Sequence, residues 1–183
     1  MTYTLVIVES PAKCQKIESY LGPGYRCIAS IGHLQSLSSL KDIDISNNYT
    51  PKYSPIEAKK GQIKKIKDLI LPAKDVIIAT DDDREGEAIG WHICQLFNLS
   101  VNTTKRIIFH EITKNAIQSA ISQPTVLNLN LINAQQGRQI LDLIVGECIF
   151  VFTQPGPSIH VFILFSSKSN NSTNLIKNIF DKV

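Results

Sequence analysis

At 183 residues and 43% hydrophobic composition, the chain can bury a core for one ordinary domain plus an appendage, which excludes wholesale disorder. With 19 Lys and Arg against 16 Asp and Glu, the net charge is +3, too small for a protein that coats nucleic acid along its length. Any contact with DNA is expected to be local. The four cysteines, Cys14, Cys27, Cys94 and Cys148, form no C-x-x-C pair, and MTYTLVIVES has neither the basic region nor the cleavage site of a signal peptide. An intracellular, soluble protein with reduced thiols is expected. The apolar stretch from Cys148 to Phe165 is interrupted at Gln154, Pro155, Gly156, Pro157 and Ser158, so it falls short of the roughly 20 residues a membrane span needs.

In chain order, Thr4 to Val8 is a β-branched run without polar alternation, which suits a strand buried on both faces, and it ends at Glu9. Ser10 and Pro11 follow as helix-start residues, and Ala12, Ile17 and Leu21 recur at helical intervals until Gly22-Pro23-Gly24. A second strand over 25–31 runs into Gly32-His33, and the polar stretch to Ser54 reads as a long surface loop. Over 57–71 the spacing of Ile63, Ile66, Leu69 and Ile70 predicts a helix whose lysines face solvent. Asp75 to Thr80 is a third buried strand, followed by Asp81-Asp82-Asp83 and an amphipathic helix over 85–96. Arg106 to Phe109 reads as a fourth strand and Thr113 to Ile121 as the helix after it. Leu127 to Val145 reads as a longer helix. Strands alternating with helices predict an α/β fold with a mainly parallel sheet, whose working groups gather at the carboxyl ends of the strands. Past Gly146 two β-like runs flank Pro155-Gly156-Pro157, and Ser166 to Asn174 reads as a polar linker that orders poorly.

Two buried strands thus end in acid: one in Glu9, the other in Asp81, Asp83 and Glu85. If they are neighbours, four carboxylates share one rim. Two carboxylates about 4 Å apart repel by roughly 4 kcal/mol at an effective dielectric of about 20, so the cluster needs a cation or extra protons. Hard oxygen donors favour Mg²⁺. A backbone still extended past its strand would turn Asp81, Asp83 and Glu85 to one side, and Gly86 would let the chain turn into the helix. The bland alternative is three acids complementing a helix dipole. Lys13, one turn into the first helix, reaches the same rim as a point charge suited to phosphate, or is simply an exposed helix lysine.

Five segments carry a family resemblance: LVIVESPAK (Leu5 to Lys13), Gly32-His33, IATDDDREGEAIGWHI (Ile78 to Ile93), RIIFHEIT (Arg106 to Thr113) and AQQGRQILDLIVG (Ala134 to Gly146). Their order and spacing resemble the amino-terminal part of type IA DNA topoisomerases of the topoisomerase I and topoisomerase III kinds. That part is the TOPRIM domain with the first helix of the DNA-binding domain after it. The resemblance implies a Rossmann-like TOPRIM domain over 1–124, the first helix of an incomplete DNA-binding domain over 125–146 and a divergent tail over 147–183. It implies Mg²⁺-dependent, ATP-independent breakage and rejoining of single DNA strands, with single-stranded or underwound DNA as partner and no nucleotide cofactor.

Carried over by position, Glu9 would be the general acid toward the leaving 3′ oxygen and the base in religation. Lys13 would stabilise charge on the phosphate. Asp81, Asp83 and Glu85, with Glu9, would hold Mg²⁺, needed mainly to position the broken ends for rejoining. His33 matches a DNA-contacting histidine, although a histidine after glycine also suits a solvated turn. Arg84, Arg138, Gln139 and Asp142 fall on DNA-binding positions. Glu111 matches an acid that supports the rim, whereas Glu87 is expected on the exposed helix face, and His92 and His110 are expected to be structural.

The chain departs from the pattern at Gln139 and Leu143, where the family has arginines, so two phosphate contacts are missing. Glu147-Cys148 stands where a tyrosine and a Ser-Pro step are expected, and the resemblance ends there, as in a truncated, frame-altered or decayed gene. The family's nucleophile is a tyrosine several hundred residues downstream. Tyr3, Tyr20, Tyr25, Tyr49 and Tyr53 all lie in the first third and match no nucleophile position. The isolated chain is therefore expected to be inactive in strand passage. A silent metal- and DNA-binding module and a small TOPRIM nuclease are the alternatives.

Overall fold

The computed structural model describes residues 2–148. In chain order the elements are β1 (Tyr3–Val8), α1 (Pro11–Leu21), β2 (Tyr25–Ala29), β3 (Gln35–Ser36), β4 (Ile43–Asp44), β5 (Thr50–Pro51), β6 (Ser54–Pro55), α2 (Lys60–Ile70), β7 (Ala73–Ala79), α3 (Arg84–Phe97), β8 (Lys105–Arg106), α4 (Lys114–Ser122) and α5 (Leu129–Cys148). The described residues fall into two compact units: one up to Ser36 together with Ser54–Gln136, and the other Leu37–Tyr53 together with the described residues from Gly137 onward. The strands expected around Pro155-Gly156-Pro157 and the linker from Ser166 lie outside the described residues.

The first unit is built on a parallel sheet of order β2-β1-β7-β8. Residues of β1 alternate between two apolar layers. Leu5 and Ile7 pack with Ile66 of α2 and Ile89 and Ile93 of α3, while Val6 and Val8 pack with Ile17 of α1 and Ile117 of α4. This double burial explains why the strand carries no polar alternation. Each fully buried aliphatic side chain contributes on the order of 1.5–3 kcal/mol. Pro11 sits in the first turn of α1 as expected, and Ser10 stands at the N-cap in extended backbone, although its side chain makes no capping bond. Gly22, at φ 77°, ends the helix.

The fourth strand is shorter than the sequence predicts. Only Lys105 and Arg106 pair with Ile77 and Ile78. Ile107 adds one further bond, its N–H donating to the Ile78 carbonyl at 2.9 Å, and Arg106 bridges antiparallel to Thr125 on its other side. The chain then leaves the sheet, carrying Phe109 to Glu111 toward the acid loop's cleft. The long helix starts later than Leu127, because the Asn128 side chain accepts from the N–H groups of Asn130 (3.0 Å) and Leu131 (3.3 Å) and so caps it. Leu127 is buried instead, and a Cβ on Gly90 would run into it.

The expected surface loop before Ser54 is more ordered than a loop. Within the first unit Leu34 is fully buried in the core, and β3 pairs antiparallel with β6. Within the second unit β4 pairs with β5, Ile43 is buried, and Asn48 and Tyr49 turn the chain in the left-handed region. The Asp42 carboxylate there accepts from the N–H groups of Ser38 (2.7 Å) and Ser39 (2.9 Å). No helix among the described residues is long and apolar enough to cross a membrane.

Candidate functional site

Because Val8 pairs with Ala79 across adjacent parallel strands, the residues that follow them, Glu9 on one side and Thr80 and Asp81 on the other, leave the sheet at the same edge. Val8 also pairs with Ala29, and Ile31 donates its N–H to the Glu9 carbonyl at 2.9 Å, which fixes the backbone at Glu9. Partial burial pushes the Glu9 carboxyl above its ordinary range. Asp81 pushes it the same way, Lys13 opposes, and Asp83 and Glu85 add smaller upward pushes. Three acids of the loop and first turn of α3 thus act on the Glu9 carboxyl. Lys13 donates from Nζ to the Asp81 carboxylate, bringing the helix lysine to the rim as the spacing predicted.

The acids are not strung along one extended segment. Asp83 is extended and caps α3, its Oδ1 accepting from the Gly86 N–H at 2.7 Å, and the helix has begun by Arg84, so Glu85 lies in its first turn. Gly86 serves close packing, since a Cβ there would collide with the backbone of Asp81. Thr80 Oγ1 donates to the Gly86 carbonyl at 2.7 Å and ties the loop's two ends together. Asp81, Asp83, Arg84 and Glu85 are all exposed.

His33 Nε2 lies 3.3 Å from Glu85 Oε1, and its Nδ1 lies 3.4 Å from Nδ1 of His92. His33 is thus a member of the rim and not a solvated turn residue. His92 is buried on α3, and burial, with His33 second, depresses its pKa to about 3. On the other flank a cleft of about 400 Å³ is lined by Lys13, Asp81, Asp82 and Asp83 together with Phe109, His110, Glu111 and Ile112. Glu111 reaches the neighbourhood of the acids as expected, and exposed His110 stands 3.9 Å from Asp82. A larger hollow of about 620 Å³, lined by Cys14, Glu18 and Tyr25 among others, gathers no comparable set of acids.

Glu87 corrects the expectation of an exposed position. It is 3% exposed, and its Oε1 lies 3.3 Å from Nη2 of Arg106, which is itself fully buried. The same Nη2 donates to the Asp81 carbonyl at 2.9 Å, and Glu87 Oε2 accepts from the Asn128 N–H at 3.0 Å. The available sequence signal was an arginine opening an apolar strand, which burial obliges to find an anion. In the second unit Arg138 Nε lies 3.5 Å from Asp142 Oδ2 one helical turn on, both exposed, and Gln139 Oε1 accepts from the Tyr53 hydroxyl at 2.8 Å.

The acids' donor set, four carboxylates with no sulfur, has the chemistry of a hard divalent cation site, and a cation would oppose the burial and the neighbouring acids that together raise Glu9. The side chains face protein partners, however. Asp81 pairs with Lys13, Asp83 caps α3 and Glu85 faces His33, and among the described residues no three His, Cys, Asp or Glu side chains close around a common point.

Residues 4–112 match the family model described as "Toprim domain". The fold is similar to that of full-length topoisomerase I from Thermotoga maritima, with a TM-score of 0.71 and 39% sequence identity over 77% of this chain. The match spans 24% of that protein's chain, so this sequence corresponds to about a quarter of its length. The parallel order β2-β1-β7-β8, the acids at its carboxyl edge and this match agree: the chain belongs to the Toprim family and carries a TOPRIM domain of the type IA topoisomerase kind.

Proposed function

We propose that the chain is the amino-terminal part of a type IA DNA topoisomerase, in which residues 1–124 form the Mg²⁺-binding TOPRIM domain and 125–146 begin a DNA-binding domain. The observation that carries this reading is that Glu9 and Asp81 follow the ends of two adjacent parallel strands, with Lys13 paired to Asp81 and with Asp83 and Glu85, at the start of α3, near enough to act on the Glu9 carboxyl. Burial and the neighbouring acids push the Glu9 carboxyl toward its protonated form, the direction required of a group that would give a proton to a leaving 3′ oxygen and recover it on religation. Lys13 would release Asp81 and meet the phosphate oxygens. Glu9, Asp81, Asp83 and Glu85 would hold Mg²⁺, which supplies charge neutralisation where broken ends are aligned for rejoining. His33 and Arg84 beside the acids, and Arg138, Gln139 and Asp142 on α5, would contact single-stranded or underwound DNA. The tyrosine nucleophile would come from outside these 183 residues, since none of Tyr3, Tyr20, Tyr25, Tyr49 and Tyr53 falls on the family's nucleophile position; Tyr3 donates its hydroxyl to the Leu69 carbonyl and Tyr53 to Gln139.

That use of the tyrosines also favours a second reading, a Mg²⁺- and DNA-binding module without chemistry of its own. Incubation of the purified chain with supercoiled plasmid and Mg²⁺ separates the possibilities. No relaxation by the chain alone, and a covalent protein–DNA adduct once a tyrosine-bearing remainder of a type IA enzyme is added, are expected. Mg²⁺-dependent DNA association without any adduct would leave the module. Cleavage by the chain alone, with no protein attached to the ends, would replace both readings with a nuclease. Asp81→Ala combined with Asp83→Ala is expected to abolish the Mg²⁺ dependence.

A further inference from the structure

Directly beneath the acid loop lies a buried ionic assembly that touches none of the solvent-facing carboxylates. Arg106 is fully buried at the end of β8, and its Nη2 donates to the Asp81 carbonyl at 2.9 Å while facing Glu87 Oε1 at 3.3 Å. Glu87 lies in the first turn of α3, and its second oxygen accepts the Asn128 N–H at 3.0 Å, at the start of α5. Among the described residues Nε and Nη1 of Arg106 have no hydrogen-bond partner, so the guanidinium is not in an optimal polar nest. An apolar pair of the same volume would fill this space at least as well for stability alone. What an apolar pair could not do is hold the Asp81 carbonyl from inside and tie it, through Glu87, to the first peptide of α5.

We propose that Arg106 and Glu87 are positioning residues for the acid loop: the pair fixes the Asp81 backbone, presenting the Asp81 and Asp83 carboxylates for a divalent cation, and locks that loop to the amino terminus of α5. The proposal rests on the reading of those carboxylates as Mg²⁺ ligands. Three contacts on one side of the loop agree with it. Thr80 holds the Gly86 carbonyl, Asp83 the Gly86 N–H, and Gly86 packs against the Asp81 backbone with no room for a side chain. With the Asp81 backbone held by Arg106, a cation would be met by turns of the exposed acidic side chains and not by movement of the loop's backbone. Groups that orient ligands without touching the metal commonly govern affinity by tenfold or more.

The test replaces Arg106→Met together with Glu87→Met in the full chain and reads two quantities: Mg²⁺ affinity by calorimetry, and amide hydrogen exchange of residues 81–86 and 128–132 without metal. The expected result is a folded protein with a melting temperature close to the parent's, Mg²⁺ affinity lowered about tenfold, and faster exchange in both segments. Parent-like affinity and exchange in the folded variant would overturn the proposal. If the parent itself binds no Mg²⁺, the reading of the site fails, and exchange still decides the positioning: unchanged protection of 81–86 overturns it. Should the double variant not fold, Arg106→Lys, which keeps the charge on a shorter side chain that stops short of the Nη2 position, gives the same two measurements with the same deciding outcomes.

Discussion

Asp81 is held from two sides, and the two holds differ in kind. On the rim its carboxylate pairs with Lys13, where the two side chains are 55% and 25% exposed. Underneath, its carbonyl is held by Arg106, whose pairing with Glu87 leaves the two side chains 0% and 4% exposed. Water screens the outer pair, whose net worth is on the order of 1 kcal/mol or less. The inner pair has no water to fall back on, so removing one partner strands the other. One residue thus has a side chain that can exchange partners at little cost and a backbone that cannot move without disturbing the core, which is what a ligand-presenting loop requires.

The largest expected effect breaks the inner hold. Arg106→Ala leaves Glu87 buried without its counter-charge and should cost about 3–5 kcal/mol in urea-induced unfolding. A loss under about 1 kcal/mol would mean that water reaches the pair, and the contrast with the rim would disappear. Next in size is a pH effect from the same helix. Burial, with His33 second, lowers the His92 pKa to about 3, below the 6.5 it has in the unfolded chain. The folded state favours the neutral imidazole, so this contribution is complete above pH 6.5 and is lost as the pH falls toward 3. Between pH 6.5 and 4 the loss should approach about 3 kcal/mol, and His92→Gln should flatten the stability profile in that window. An unchanged slope in the variant would assign the acid sensitivity to other groups.

The outer hold was legible in the sequence and the inner one was not, for a physical reason. Glu9, Lys13 and Asp81 to Glu85 follow runs such as LVIV and VIIA whose uninterrupted apolarity announces buried parallel strands, and the chemistry at the ends of such strands can be read by adjacency. The partnership of Arg106 and Glu87 spans 19 residues and depends on β8 pairing with β7, a tertiary fact that leaves no local period. Glu87, expected on the exposed face of its helix, is instead turned inward by a partner that no local pattern announces. The helix expected over 85–96 begins one residue earlier, at Arg84, which places Glu85 in its first turn and not on an extended continuation of the strand. Leu34 and Ile43, buried inside what reads as a polar loop, show that isolated aliphatics among Ser, Asp and Asn can anchor short antiparallel pairs without periodicity.

A smaller change sharpens the comparison at the neighbouring strand. Glu9, like Asp81, is held by its backbone carbonyl, here through the Ile31 N–H, but Ile31 holds it from the left-handed region at φ 60°. A β-branched residue there costs about 1–3 kcal/mol. Ile31→Gly removes that strain, and the glycine's greater freedom in the unfolded chain takes back about 0.5–1 kcal/mol. The side chain is 46% exposed, so little packing is lost. A net gain of about 1 kcal/mol in denaturant unfolding is expected. A loss instead would indicate that the Ile31 side chain, and not its N–H, is what the Glu9 turn depends on.

The smallest stability effect belongs to the outer hold, and it is paired with the clearest functional one. Lys13→Met keeps the aliphatic stem on α1 and removes only the charge that meets Asp81, so unfolding free energy should change by less than about 1 kcal/mol. The same substitution deletes the cation that pairs with Asp81 and lines the cleft with Asp81 to Asp83. DNA association in Mg²⁺ should weaken and its dependence on salt should flatten by roughly one phosphate contact. Freed of its lysine, Asp81 should also take Mg²⁺ more readily, so calorimetry on Lys13→Met is expected to give equal or tighter metal binding alongside weaker DNA binding. If both weakened together, Lys13 would be holding the acid loop in place, and its role would merge with that of Arg106.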